Sequence, residues 1–477
     1  MNIYIALITL LISMIPNLYA ATPSTVLLPR SIVNNPMYDI SSLIKQTYEE
    51  DWKTYMAMVG IYQHSHHNTA LADYFSINGT NSFTLDEGGT GDMNPVQIGL
   101  MPLGTTPAFY SSTITLQPFR RTVGVMADIY HQFDDNVWME FKIAALQVTT
   151  TMDLVETNVT SSGGGVSTIL TARDAFNNPT WAGAKISSDR VSQSGIEDIF
   201  FKVGYDPITF TKNPHRVGLY IFTMIPNSVK ERLEYLLHPI VSGKYTVVGG
   251  GVSGDFGGQI SSNWMAMLSL DARLGVGLNS WQPRTFDITN NGAWSRYMLM
   301  SYQSNVLDVQ YGVNVNTVNV LLAQRAQAQA TIVLALEGND WGLQVGYNVW
   351  YRQKEQVLQF APLENTFAIA DLPHISGIVI GVATSASTSN VSQTVVPGTS
   401  NSMVSDAAFT PFTTTNFNTL SGTNPSASTS TAWTGIRFTR LIDEAQVNLS
   451  FNGSYEYAHK LGSIPSWSLW GNLVVEF

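Results

Sequence analysis

Over four long stretches of this chain, apolar residues stand at every second position. In "NWMAMLSLDARLGVGL" they are Trp264, Ala266, Leu268, Leu270, Ala272, Leu274, Val276 and Leu278, and the intervening set includes Ser269, Asp271 and Arg273. In "WGLQVGYNVWYRQK", Trp341, Leu343, Val345, Tyr347, Val349 and Tyr351 alternate with Gly342, Gln344, Gly346, Asn348, Trp350 and Arg352. "AQVNLSFNGSYEY" sets Val447, Leu449, Phe451, Tyr455 and Tyr457 against Asn448 and Glu456, and "VWMEFKIAA" sets Val137, Met139, Phe141 and Ile143 against Glu140 and Lys142. A period of two is that of a β-strand with one apolar and one mixed face. Strands of soluble sheets usually run about five or six residues. These run about nine to fourteen, the length a tilted strand needs to cross a bilayer. Aromatic residues gather near the strand ends (Trp264, Trp341, Tyr351, Tyr455, Tyr457, Trp467, Phe477), where the headgroup level favours them.

The two ends of the chain extend this picture. "WSLWGNLVVEF" alternates again, with Trp467, Leu469, Gly471, Leu473 and Val475 on one parity, and finishes on Phe477. At the other end, "MNIYIALITLLISMIPNLYA" has an apolar run from Ile3 to Ile15, a helix-breaking Pro16 and a small Ala20. We read residues 1–20 as a cleaved signal peptide. Backbone groups in lipid must be satisfied within the protein, so strands span membranes as closed barrels without an edge.

Composition narrows the class. Charged residues make up 12% of the chain, against about 25% in ordinary soluble domains. There is no cysteine, hence neither disulfides nor thiolate metal sites. A formal charge of -11 argues against nucleic acid as a partner. Past the signal no run of about 18 apolar residues predicts a transmembrane helix. The resulting expectation is all-β: a single transmembrane antiparallel β-barrel of about 14–16 strands over residues 51–477, with long extracellular loops and a short loop helix. Tight turns at "FDDN" near Asp134 and "DE" at Asp443 fall on the periplasmic side, and the Ser/Thr/Asn-rich stretch 383–430 then falls on the extracellular side. Residues 21–50 are left as a periplasmic N-terminal segment or plug.

With its signal sequence, strand rhythm and terminal aromatic, the chain resembles Gram-negative outer-membrane β-barrels of the porin or major-outer-membrane-protein type. The resemblance implies that Phe477, Val475 and Leu473 form the signal read by the β-barrel assembly machinery, and that outer-membrane lipid surrounds the barrel. It fixes no oligomeric state.

Several motifs invite chemistry. "QHSHHN" groups His64, His66 and His67, but no carboxylate or cysteine nearby completes a metal site. "GGGVSGDFGG" contains the spacing of a dinucleotide loop without the helix that would lend its N-terminus to a phosphate, so bends explain the glycines. "NSVKERLEYLLHP" predicts a helix, with Ser228 and Glu231 as a capping box, Leu233, Leu236 and Leu237 along one side, and Pro239 as its stop. "LLAQRAQAQA" around Arg325 reads equally as polar strand or short helix. No nucleophile motif points to catalysis, and no cofactor or metal is expected.

The polar parity of the clear strands supplies the candidate pore lining: Glu140, Lys142, Asp271, Arg273, Gln344, Asn348, Arg352, Lys354, Arg437, Asn448 and Glu456. Together they describe a wet interior with charges of both signs, suited to passive diffusion of small hydrophilic solutes. Two alternatives stand beside this reading. One is a hydrophobic-substrate channel similar to long-chain fatty-acid transporters, with "RSIVNNPMYDISSLIKQTYEED" as its plug. The other is a structural or adhesive surface barrel.

Overall fold

The computed structural model describes residues 24–39, 53–66, 68–86, 91–93, 95, 109–134, 136–162, 171–210, 215–227, 233–302, 309–369, 412–442, 445–459 and 462–476. Twelve antiparallel strands close on themselves: β1 Lys53–Ser65, β2 Phe119–Gln132, β3 Val137–Thr151, β4 Ile199–Phe210, β5 His215–Ile225, β6 Val247–Ser261, β7 Trp264–Gly277, β8 Ala326–Gly338, β9 Trp341–Arg352, β10 Ala427–Ile442, β11 Ala445–Ala458 and β12 Ser466–Glu476. Each pairs with its neighbours in sequence, and β1 closes the ring against β12, with Met58 opposite Leu473 and Gly60 opposite Gly471. The strands run from 11 to 16 residues, as membrane crossing requires.

The ring is smaller than the 14–16 strands anticipated from the sequence. Most of the further strands pair with each other in the long connections rather than joining the ring; the exception is Val191–Ile196, which pairs along Ala145–Thr150 of β3, beyond the part of β3 that pairs with β4. Ser82–Asp86, Phe109–Thr115 and Val155–Ser162 form one three-stranded sheet, and Ser280–Thr285, Thr317–Ala323 and Gln356–Phe360 form another. The ambiguous segment around Arg325 resolves as the end of one such strand and the start of β8. The helix expected over "NSVKERLEYLLHP" is absent over its described part: Leu233–Pro239 is extended and turning, and Lys185 and Tyr235 form a β-bridge. Ser228 and Glu231 lie outside the described residues. Among the described residues, the α-helices of the connections are instead Asn68–Phe75, Ala172–Phe176 and Gly312–Val315.

Connections are sharply asymmetric. At one end of the barrel β2 to β3, β4 to β5, β6 to β7, β8 to β9 and β10 to β11 are separated by only two to four residues, and at the other end lie the long connections. Phe133, Asp134 and Asn136 of the "FDDN" stretch sit at the end with the short connections, and Asp443 and Glu444 of the "DE" turn lie outside the described residues. The loop end is capped by two apolar cores, one containing Phe75, Phe83, Phe176, Trp181, Trp294 and Tyr297, the other Phe286, Ile288, Met300, Val320, Phe367 and Phe417.

Alternation along each strand separates inside from outside. On β7, Leu270 and Leu274 are 40% and 57% exposed on the outer wall while Arg273 between them is 4% exposed. Leu334, Val345, Phe451 and Leu473 continue the apolar outer wall on β8, β9, β11 and β12. Aromatic pairs mark both rims: Trp264 meets Trp341 edge to face at 4.9 Å near the tight turns, and Tyr62 meets Trp467 at 5.3 Å near the loops. This is the lipid-facing surface of a transmembrane β-barrel. None of the described helices is long and apolar enough to cross a membrane, which says nothing about crossing by strands.

The glycine run of β6 has a packing reason. A Cβ on Gly251 would stand 2.4 Å from the Tyr220 ring, and one on Gly249 would stand 2.7 Å from Phe222 and 2.2 Å from the Leu274 carbonyl. Both rings belong to β5 and are buried, so the neighbouring strand must lack side chains where they lie. The run is part of a continuous strand making room for rings, rather than the bends or flexible loop expected from the sequence.

Candidate functional site in the barrel lumen

Barrel size sets what the lumen can hold. Eight strands leave an interior just filled by side chains, whereas sixteen or more leave an aqueous channel. Twelve leave room for a little more than the wall's own side chains. Here that room is occupied by residues 24–39, which run through the interior from the loop cap toward the middle of the barrel.

Contacts along this segment follow its course. Thr25 N–H donates to the Ser421 carbonyl (2.7 Å) and its hydroxyl to the Thr285 carbonyl (2.8 Å), both in the loop cap. Arg352 on β9 donates to the Leu28 carbonyl at 3.1 Å. Arg30 Nη2 donates to Gln329 Oε1 on β8 at 2.5 Å, and Gln329 Nε2 returns a bond to the Asn34 carbonyl at 3.2 Å. Glu197 receives the backbone N–H groups of Ile32 and Val33 at 2.7 and 3.1 Å. Tyr38 packs edge to face on Trp470 of β12 at 5.1 Å. Asp39 then joins two walls, pairing with Lys142 of β3 and with Arg273 Nη2 of β7 at 3.1 Å.

Most of the predicted pore-lining residues point inward. Glu140, Lys142, Arg273, Gln344, Asn348, Arg352, Asn448 and Glu456 are buried, and Asp271 and Arg437 are half-buried. They are engaged rather than bathed in solvent. Lys142 and Lys202 both reach Glu140 at 3.1 Å, Asp271 accepts from Tyr220 at 2.7 Å and from Arg273 at 3.1 Å, and Arg437 pairs with Glu337. Gln344 donates to Asn452, Asn348 to Thr331, Thr439 to Asn448 and Thr431 to Glu456. Lys354 is the exception: it lies past the end of β9, exposed at the loop end. Of the terminal residues, Leu473 and Val475 lie on the outer parity of β12, and Phe477 lies outside the described residues.

Sequence reasoning missed a second set of lumen charges. Arg216 on β5 pairs with Asp206 at 2.9 Å and Asp255 at 3.5 Å, and Asp128 on β2 lies 3.7 Å from Lys142. The signal was present: in "IFFKVGYD", Phe200, Lys202, Gly204 and Asp206 share the inner parity. Short, glycine-broken alternation hid it.

The histidine cluster is outside the lumen. His64 stacks on Phe119 at 5.7 Å and Trp467 at 6.0 Å, and His66 stacks on Tyr455 at 4.4 Å, so both belong to the aromatic rim at the loop end. His67 is outside the described residues. Among the described residues, no group of three or more His, Cys, Asp or Glu is placed to hold a metal ion.

Among the described residues, two small cavities lie beside the inner segment. One cavity of about 30 Å³ lies between it and the wall near the loop end, lined in part by Arg30, Arg120, Thr429 and Glu456. Another of about 40 Å³ lies near Asp39, Lys202, Asp255 and Asp271. Each has room for one or two waters. The arrangement is a filled lumen with paired charges rather than an open aqueous bore.

No protein-family model and no curated protein sequence matches the chain. Among solved structures, it is similar to an outer membrane channel from Pseudomonas putida F1, at 9% identity over 90% of this chain and 96% of that one, with a TM-score of 0.37. It is also similar to the CymD monoaromatic hydrocarbon channel, at 10% identity over 96% and 98% with a TM-score of 0.29. A FadL homologue of Pseudomonas aeruginosa follows at 9% identity over 89% of both chains with a TM-score of 0.26.

Proposed function

We propose that this protein is an outer-membrane channel held shut at rest by its own residues 24–39, and that its solutes are apolar rather than small and hydrophilic. The observation that carries the reading is the seating of that segment in the lumen, tied to β3, β7, β8 and β9 through Asp39, Arg30, Asn34 and Leu28. A hydrated solute crossing by free diffusion needs a continuous wet path, and the filled lumen argues against one. The short-turn end faces the periplasm and the loop cap the outside, by the usual asymmetry of such barrels. The cap presents aromatic cores above the lumen, a setting that suits apolar solutes. Export by a cleaved signal and insertion by the assembly machinery through Phe477, Val475 and Leu473 belong to the same reading. A second reading, a structural or adhesive surface barrel, draws on the same filled lumen.

Planar-bilayer recording of the purified chain and of a variant lacking residues 24–39, paired with uptake of an apolar aromatic dye into proteoliposomes, tests it. The expected result is a silent full chain that takes up dye and a deletion variant with stepwise ohmic openings. Steady ohmic conductance of the full chain would restore the open-porin reading. Silence from both proteins without dye uptake would leave the surface barrel.

A further inference from the structure

The small cavity near the loop end has an unusual lining. Arg30, from the inner segment, and Arg120, at the start of β2, both border it. Arg120 is 9% exposed; its backbone N–H donates to Ser65 Oγ at 2.8 Å and its Nη1 to Gln63 Oε1 at 3.3 Å. Arg30 spends Nη2 on Gln329, and its guanidinium lies 5.6 Å from the centre of the Trp350 ring. What remains has no partner among the described residues: Arg30 Nε and Nη1, Arg120 Nε and the Thr429 hydroxyl, all buried. Glu456 is the carboxylate on the same wall, and its Oε2 already receives the Thr431 hydroxyl at 3.1 Å. Glu197 does not line the cavity and turns both oxygens to the Ile32 and Val33 N–H groups. Two guanidiniums thus border the cavity with one engaged carboxylate on its lining and a second, Glu197, acting on Arg120 from outside it, and the donors named above remain unmet. Buried charge of this kind is strongly unfavourable unless compensated.

We propose that this cavity binds one small monovalent anion of chloride size, which ties the inner segment to the barrel wall by bridging Arg30 and Arg120. Volume suits a small ligand: about 30 Å³ holds one or two waters or one such ion. Donors on both the segment and the wall make the anion a removable crosslink, so halide strengthens seating without touching the Asp39 pairs deeper in the lumen. The site stands whether or not the barrel conducts.

The test compares thermal unfolding of the full chain in sodium chloride, sodium bromide and sodium gluconate at equal ionic strength, together with anomalous diffraction from a bromide-soaked crystal. Halide over gluconate should raise Tm by on the order of a few degrees. A bromide peak should stand between Arg30 and Arg120. Arg120→Gln and, separately, Arg30→Gln should each abolish the halide-dependent part of Tm. Equal Tm in all three salts, a halide effect retained in both variants, or density at the cavity that carries no anomalous signal and refines as water would overturn the proposal. If either variant fails to fold, the wild-type crystal and salt series still decide the matter.

Discussion

Asp39 and Arg273 meet at 3.1 Å, joining a segment that precedes the first barrel strand to β7 on the wall. Lys142 of β3 reaches the same carboxylate, so one acid bridges two walls of the lumen. Removing it takes the shared acid from both cations, though Lys142 keeps Glu140 and Asp128 and Arg273 keeps Asp271, so the cost falls below the about 3–5 kcal/mol of breaking an isolated buried pair.

Asp39→Ala should therefore unseat the lower part of the inner segment while the barrel still forms. The readout is protease cleavage within residues 24–39 in detergent-solubilised protein, alongside the gel shift of an unheated barrel. Full protection of the segment in this variant would mean that the pairs with Asp39 do not hold it.

The assignment of inner and outer faces is tested by adjacent positions. Leu270 is 40% exposed on the outer wall, and Asp271 accepts from Tyr220 and Arg273 inside. Leu270→Arg puts a charge near the bilayer midplane, at about 2–4 kcal/mol, and should impair insertion. Asp271→Asn should insert normally. Single cysteines at the two places, in a chain with no native cysteine, should give lipid-quenched fluorescence at 270 but not at 271. The opposite pattern would invert every inner residue named above.

Packing against β6 makes a size prediction. Gly251→Val collides with the Tyr220 ring, whereas a Cβ at Gly258 meets nothing within 4 Å. Overpacking of this kind costs about 1–3 kcal/mol. Urea unfolding in lipid vesicles should show that loss for Gly251→Val and little change for Gly258→Val. Equal stability of the two would show that the rings of β5 can move aside.

In the loop cap, burial, with Lys244 nearby, pushes the His238 imidazole down to about 4 from its usual 6.5. Its folded-state pKa is thus below the unfolded one, so the unfolded cap binds the proton first as pH falls. Stability of this region is complete above about pH 6.5, declines as pH falls toward 4, and levels off below. Hydrogen exchange of residues 233–246, taken relative to His238→Gln, should accelerate between pH 6.5 and 4. A constant ratio across that range would sink the assignment.

Much of the barrel was legible because its signal is local. On β7, β9 and β11 each outer residue is apolar whatever the rest of the chain does, since lipid imposes the same demand on every strand, and alternation assigned Arg273, Asn348 and Glu456 to the interior. β6 was not legible, because its glycines answer to Tyr220 and Phe222 on a different strand. Nor was the helix expected over "NSVKERLEYLLHP" a safe inference: the spacing of its leucines also suits an extended segment burying Leu236 and Leu237 in the cap core.

By itself, then, the sequence determined that this chain makes long strands with one face for lipid and one for a polar interior, because a period of two survives any change of neighbours. Tertiary structure alone decided how many strands close the ring and what fills it. Whether Ser82–Asp86 or Gln356–Phe360 joins the barrel depends on which edge is free when the ring closes, a property of pairing and not of pattern. Arg30 and Asp39 carry no periodicity at all, and only the closed wall, by bringing Gln329, Lys142 and Arg273 around them, makes those two residues part of the lumen.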